Sequence, residues 1–176
     1  MIATKIAAVG NSKSRAAPEI SVRNLQRTVR VDTVDLKKFA PKALRMCLQL
    51  RKNEATDLAK LRELFVLLVS DRRMTALHRC FLHKPGPTDV LTFEHGEIFL
   101  SVETARRNAR IFGNSLTREL RLYIVHGLLH LHGFEDRTET DARKMETMQE
   151  RILRQLADRR NLKPLSAVID RRCSLN

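Results

Sequence analysis

One segment of the chain carries residue types that bind metal ions in proteins. His126 and His130 are four residues apart, so on a helix they lie on one face, one turn above the other. Two imidazoles need this spacing to share a small ion. Gly133 favours the end of a helix, after which the chain can fold Glu135 or Asp136 back towards the same face. The pattern predicts a metal site with two histidines, one carboxylate and a fourth position for water.

Two other interpretations of the histidine pair stay open at this point. The first is that both histidines are core or rim residues that hydrogen-bond to their neighbours. The second is a peptidase, because helical zinc peptidases also carry two histidines on one helix. Those enzymes place a glutamate directly after the first histidine, whereas this chain has Gly127 there, which weakens the peptidase interpretation. Two explanations of Gly127 stay open. One is close approach of a neighbouring backbone or of a bulky substrate, and the other is tight packing of the helix.

The segment around the two histidines is predicted to be a buried helix. Nearly every residue from 120 to 131 is apolar, which is too uniform for a one-sided helix and too short to cross a bilayer. Thr117 is the expected N-cap, and Gly133 is expected to end the helix in a left-handed conformation. His132 lies around the helix from the other two histidines and is expected to be solvated or to support the site from outside.

The charge of the chain indicates a polyanionic partner. The 176 residues carry a net charge of +13, and residues 1–52 hold twelve Lys and Arg against three acidic residues. Such a surplus favours nucleic acid or an anionic membrane surface, the alternative being a solubilising basic surface. Because there is one tyrosine and no tryptophan, contacts to phosphates are expected to dominate over base stacking.

Length and composition predict one domain with basic extensions. Residues 1–18 are interpreted as a loose basic extension, or as a transit peptide, 19–158 as the domain and 159–176 as a basic tail. No apolar stretch is long enough to span a membrane, and with nucleic acid as the expected polyanion no membrane partner is expected. Three scattered cysteines, Cys47, Cys80 and Cys173, indicate a reducing compartment, a cytoplasmic location and no disulfide-linked partner.

Residue periodicity predicts an α+β fold. A single domain is expected, with a small mixed sheet containing a β-hairpin and packed against helices around the central metal-binding helix. Strands are predicted at 20–25, 29–34 and 65–69, a hairpin at 90–93 and 97–101, and helices beginning at Pro41, Asp71, Val102 and Thr138.

Three segments, in order along the chain, resemble the YbeY-type endoribonucleases. Residues 87–93, Pro-Thr-Asp-Val-Leu-Thr-Phe, are similar to that family's Pro-Thr-Asp-Val-Leu-Ser-Phe, and residues 96–101 to its Gly-Asp-Ile strand. Residues 126–134, His-Gly-Leu-Leu-His-Leu-His-Gly-Phe, resemble its most specific signature. The similarity covers roughly residues 20–157.

Two positions depart from the family pattern. The signature normally ends in a third histidine, where this chain has Asp136, a competent zinc ligand that lowers the net charge of the centre by one unit. The family also carries an arginine before the proline loop, where this chain has Leu82. A guanidinium there would stabilise transition-state charge, so its loss should slow the reaction unless Arg79 or Lys84 contacts the phosphate instead.

The resemblance implies a single-strand-specific, metal-dependent endoribonuclease. Its expected role is ribosomal RNA 3′-end maturation and ribosome quality control, with ribosomal RNA or the small ribosomal subunit as partner. His126, His130 and Asp136 would hold one zinc ion per chain, which would activate a water for phosphodiester hydrolysis. No general base is evident. The alternative is a catalytically weak or inactive ribosome-associated RNA-binding protein with a structural metal.

Overall fold

A computed structural model of the protein describes residues 17–50, 56–83 and 85–157. Lys84, residues 1–16 of the predicted extension and the whole predicted tail lie outside these ranges. The elements follow in the order β1 (Glu19–Asn24), α1 (Thr33–Leu48), α2 (Asp57–Lys60), β2 (Glu63–Val69), α3 (Asp71–Leu82), β3 (Val90–Thr92), β4 (Glu97–Ser101), α4 (Val102–Ile111), α5 (Leu116–His132) and α6 (Glu139–Leu156).

Four strands form a mixed sheet with the order β1-β2-β4-β3. β1 pairs with β2 and β2 with β4 in parallel, whereas β3 and β4 are antiparallel. The turn between β3 and β4 contains Gly96, with φ +107°, and a Cβ there would lie 2.7 Å from the carbonyl oxygen of Glu63. Only glycine fits that turn without a shift. The predicted α+β class, the hairpin and the central strand at 65–69 are confirmed.

The main core lies on one face of the sheet. Val66, Leu68, Ile98 and Leu100 point from β2 and β4 into this core and are fully buried. Helix α5 lies against them and is packed by α1, α4 and α6 on its other sides. Eleven of its 17 residues are buried, as expected for a helix that is apolar almost all round.

Two ion pairs fix α5 to its neighbouring helices. The guanidinium of Arg121 pairs with Asp35 of α1 and lies over the ring of Phe39. Arg118 donates to both carboxylate oxygens of Glu150 on α6, at 2.9 and 3.0 Å. Because these pairs are partly buried, they constrain the position of α5 relative to α1 and α6 more than exposed pairs would.

Helix α3 covers part of the opposite face of the sheet. Its buried residue, Met74, packs with Val69, Leu91 and Phe99 in a second, smaller cluster. The N-terminus of α3 is tied to β4 and α4 through Asp71. One carboxylate oxygen accepts from the hydroxyls of Ser101 and Thr104, and the other accepts from Arg107 at 2.6 Å.

The predicted strand at 29–34 was wrong, and the local hydrogen bonds give the reason. Gln26 is 7% exposed, and its Oε1 accepts the backbone N–H of Val29 at 2.9 Å. Its Nε2 donates to the carbonyl oxygen of the same residue, also at 2.9 Å. Because both backbone groups of Val29 are bonded within the loop, they are not available for a strand ladder.

The expectation that Pro41 opens a helix was also wrong. The side chain of Asp32 accepts from the backbone N–H of Asp35 and caps α1, which begins at Thr33 and contains Pro41 in its interior. An aspartate N-cap is a strong start signal that the sequence interpretation overlooked in favour of the proline. The expected N-cap of α5, Thr117, was wrong as well, because Ser115 caps that helix through its side chain. Helix α3 begins at Asp71 as predicted and is capped by the side chain of Ser70.

The structure describes two of the three cysteines. Cys47 and Cys80 are both free, and burial raises the pKa of the Cys47 thiol to about 12. Cys173 lies outside the described residues. Among the helices that the structure describes, none combines the length and apolar character needed to cross a membrane.

Asp71→Asn is expected to destabilise the protein in a pH-dependent manner. Burial alone would raise the pKa of Asp71, but hydrogen bonds from Ser101, Arg107 and Thr104, together with the Arg107 charge, leave the pKa below its usual range. The ionised side chain therefore contributes stability above the unfolded-state pKa, and this contribution is lost as pH falls through the folded-state pKa. Denaturant unfolding at pH 7 should show a loss of about 1–3 kcal/mol, shrinking towards pH 3.

The control for this prediction is Glu139→Gln. Glu139 pairs with Arg143 within one helix, both side chains being 68% exposed, so the change should cost little. The difference in unfolding free energy between Asp71→Asn and the parent protein should change between pH 7 and pH 3. A constant difference would contradict the lowered pKa of Asp71.

Candidate metal centre

The end of α5 determines where the third donor of the site lies. Gly133 adopts φ +90°, and its N–H donates to the carbonyl of His130 at 2.8 Å, while the N–H of Phe134 donates to the carbonyl of Leu129 at 2.9 Å. These bonds close the helix with a left-handed residue, as predicted, and reverse the chain. The reversal carries Asp136 back towards the two histidines of the last turns.

Two imidazoles and one carboxylate converge at this point. Ligand atoms of His126, His130 and Asp136 all lie within 4.8 Å of one another. The two Nε2 atoms are 3.0 Å apart, and Oδ2 of Asp136 lies 3.9 Å from Nε2 of His126 and 3.7 Å from that of His130. Two nitrogens that share a tetrahedral zinc at the usual bond length are roughly 3.3 Å apart, so the separation is close to that required.

The carboxylate beside the imidazoles is Asp136, not its neighbour. Glu135 is exposed and pairs with the guanidinium of Arg137 at 3.0 Å. This arrangement favours Asp136 where the sequence left the choice open.

Hydrogen bonds at the other ring nitrogens indicate which tautomers are present. Nδ1 of His126 lies 2.9 Å from Oε1 of Gln149, and Nδ1 of His130 lies 3.1 Å from the carbonyl oxygen of Phe134. Oxygen acceptors at both Nδ1 atoms favour protonation there, which leaves a lone pair on each Nε2. Two lone pairs facing each other across 3.0 Å repel, and a cation between them would remove that repulsion. The donor set therefore fits a metal ion.

The electrostatic environment favours the metal-binding form of His126. Burial lowers its pKa, and the repulsion that would arise if both imidazoles were protonated lowers the pKa further. Asp89, Gln149 and Asp136 act in the opposite direction without cancelling that effect. The imidazole is therefore neutral at pH 7, which is the protonation state that binds metals.

The cluster is open to solvent on one side. The side chains of His126 and His130 are 24% and 28% exposed, and that of Asp136 is 45% exposed. An ion held by these three residues would have an accessible fourth position for water or substrate, as catalytic zinc sites require.

Tight packing explains the glycine between the two histidines. A Cβ at position 127 would lie 2.6 Å from Cγ2 of Ile98 and 3.1 Å from Oγ1 of Thr92. The helix therefore approaches the sheet too closely for any side chain. A glutamate at position 127 would meet the sheet, which agrees with the weakness of the peptidase interpretation.

The remaining predicted residues lie apart from the cluster or outside the described chain. His132 is 2% exposed, so the expectation that it is solvated was wrong; its Nε2 lies 3.2 Å from the carbonyl oxygen of Leu50. The helical rotation turns this ring towards the core. Arg79 and Leu82 are both exposed on α3. Lys84 lies outside the described residues.

Sequence reasoning missed two residues that act on His126. Gln149 interrupts an otherwise apolar stripe of α6, and an uncharged polar residue in such a stripe is a signal that could have identified it. Asp89 lies in the 87–93 segment and is close enough for its charge to raise the pKa of His126. That segment carries part of the family resemblance, but nothing in its sequence assigns a role to Asp89.

The fold and the cluster define a single-domain α+β protein with a solvent-open site suited to a metal ion. The family model described as Endoribonuclease YbeY matches residues 21–157. The chain belongs to this family. Family membership supports an endoribonuclease role, and therefore a hydrolase that acts on RNA.

Individual relatives agree with the family match. The chain is 35% identical to an endoribonuclease YbeY of an Anaeromyxobacter species over 136 residues, covering 69% of this chain and 71% of the relative. It is 37% identical to that of Petrotoga mobilis over 107 residues, covering 56% and 74%. A Thermotoga maritima protein solved in solution shares the fold, with a TM-score of 0.52, 26% identity, and coverage of 77% of this chain and 91% of that one.

Gly127→Val is expected to destabilise the fold by about 2–3 kcal/mol, because the added side chain overlaps Ile98, which is fully buried. Equilibrium denaturation measures this loss. In an Ile98→Ala background the same substitution should cost clearly less, since the overlapping methyl groups are absent. Equal costs in the two backgrounds would show that contact with Ile98 does not explain the glycine.

Proposed function

We propose that this protein is a zinc-dependent, single-strand-specific endoribonuclease that acts in ribosomal RNA 3′-end maturation and ribosome quality control. The observation that carries the proposal is the convergence of His126, His130 and Asp136 at a solvent-open point, in a chain of the YbeY endoribonuclease family. The partner is RNA, either ribosomal RNA or the small ribosomal subunit. The free thiols of Cys47 and Cys80 support a cytoplasmic location.

Zinc is the metal that these three ligands suit best. Two imidazole nitrogens and one carboxylate oxygen are borderline donors, and zinc accepts this combination in hydrolytic sites, with one ion per chain. A zinc ion in the site would supply a Lewis acid that polarises a phosphoryl oxygen and lowers the pKa of water.

The protein's own residues bind and orient the reacting groups. His126 and His130 direct neutral Nε2 lone pairs to one point, and Asp136 adds a negative charge that a third histidine would not add. This extra charge reduces the attraction of the centre for an anionic phosphate, so positive side chains elsewhere must hold the RNA. The net charge of +13 supplies that attraction, and Arg79 and Lys84 are the proposed phosphate contacts near the proline loop.

The alternative function is an RNA-binding protein with a structural metal and little nuclease activity. One observation favours it: position 82, where the resemblance places an arginine, holds a leucine that is 49% exposed. Without a guanidinium at that position, charge on the transition-state oxygens is less well stabilised. Cleavage measurements separate the two functions.

Zinc-loaded protein is expected to cleave a single-stranded ribosomal RNA fragment and to leave the same fragment intact when it is annealed to its complement. The His126→Ala, His130→Ala double variant should lose at least about a hundredfold in rate, because it lacks two metal ligands. Gel analysis of time courses measures both rates. The control is His95→Ala, a histidine outside the cluster whose side chain is 70% exposed. Cleavage that survives in the double variant would exclude this centre as its source.

Leu82→Arg is expected to raise the cleavage rate by about tenfold or more, because a guanidinium at this position would stabilise phosphate charge in the transition state. The matched control is Ile111→Arg, which adds the same charge at a side chain that is 60% exposed. Single-turnover kinetics at saturating protein separates the chemical step from binding. Equal effects of the two substitutions would mean that overall charge, and not position 82, limits the rate.

A further inference from the structure

Gln149 is a buried polar residue that contacts a histidine of the metal centre from another helix. It lies on α6, is 5% exposed, and is flanked on the same helix by the buried residues Met145, Ile152 and Leu153. Its Oε1 is 2.9 Å from Nδ1 of His126. A glutamine placed among apolar residues loses its contacts with water, so its hydrogen bond to the imidazole is the compensation that the structure shows.

The orientation of this amide decides what His126 can bind. An amide oxygen facing Nδ1 accepts a proton from it, so that Nε2 keeps its lone pair. An amide nitrogen in the same place would donate to Nδ1 and put the proton on Nε2, where it would block ligation. Nδ1 of His130 faces the Phe134 carbonyl and the two Nε2 atoms lie 3.0 Å apart, so the first arrangement directs both lone pairs at one ion placed between them.

The two histidines are held in different ways. The acceptor for His130 is a backbone carbonyl four residues away, within the turn that ends α5. The acceptor for His126 is a side chain 23 residues away, on α6. Helix α6 is itself fixed to α5 by the pair between Arg118 and Glu150, the residue next to Gln149. The rotation of the His126 ring therefore depends on how α6 packs.

We propose that Gln149 is a positioning residue of the metal centre: its amide oxygen accepts the Nδ1–H of His126 and fixes the tautomer and rotation of that ring. The metal affinity of the protein therefore depends on a residue of α6 that does not touch the ion. This inference rests on the metal centre of the proposed function and not on ribonuclease activity.

Zinc affinity, measured without RNA by competition with a chromophoric chelator, tests the proposal. Gln149→Leu should weaken zinc binding about 10–100-fold, the usual effect of removing the hydrogen-bond partner of a ligating histidine. Gln149→Glu should bind zinc at least as tightly as the parent protein, because a carboxylate at this position only accepts. The matched control is Gln26→Leu, another buried glutamine, which orders the 24–29 loop and should leave zinc affinity unchanged.

The tautomer can be observed directly in the unsubstituted, metal-free protein. Long-range proton–nitrogen correlation spectra should show His126 protonated at Nδ1, and a ring protonated at Nε2 would overturn the proposal even if no variant folded. Equal zinc affinity of Gln149→Leu and the parent protein would also overturn it. If the parent protein binds no zinc at all, the metal centre of the proposed function is excluded as well. If the parent protein binds zinc and Gln149→Leu binds it equally tightly, only the role of Gln149 is excluded.

Discussion

The burial of α5 on every side but one is the constraint on which the rest of the structure depends. The helix must fill the core between the sheet and three other helices, yet two of its side chains must reach solvent. Gly127 meets the first requirement by allowing the helix to lie directly against Ile98. His126 and His130 meet the second because they share a face that points towards the open side near Asp136. One helix thus serves as both core element and ligand scaffold, and rigid elements hold such sites more precisely than loops do.

Much of this arrangement could be predicted because its signals are local. Three signals lie close together in the sequence: the apolar run of α5, the spacing of the histidines and the helix-ending Gly133. Helix geometry then determines which residues share a face and where the chain turns. The hairpin followed from two apolar runs around Gly96. The missed features depend on contacts that spacing does not encode. The amide of Gln26 uses the backbone of Val29 and removes a predicted strand, and Gln149 reaches His126 from a separate helix.

The total of 33 lysines and arginines overstates how many positive side chains are available to bind an anion. Arg121 is engaged by Asp35, Arg118 by Glu150 and Arg107 by Asp71, and each pair joins two different elements of the fold. These arginines stabilise helix positions and are less free to contact phosphates. Attraction of RNA therefore depends on other basic side chains, among which Arg79 and Lys84 remain the proposed contacts near the proline loop.

The three donors of the cluster differ in how firmly the chain holds them. Both imidazoles stand on one rigid helix, so their convergence costs little conformational entropy when an ion arrives. The carboxylate of Asp136 stands on the irregular segment between α5 and α6 and is the most exposed of the three. Ion capture is therefore expected to occur in two stages, with initial docking on the preorganised pair and later closure by the more exposed carboxylate of Asp136. Residence time of the ion would then depend on the exposed residues 135–137, whereas Phe134 of the same segment packs against the core.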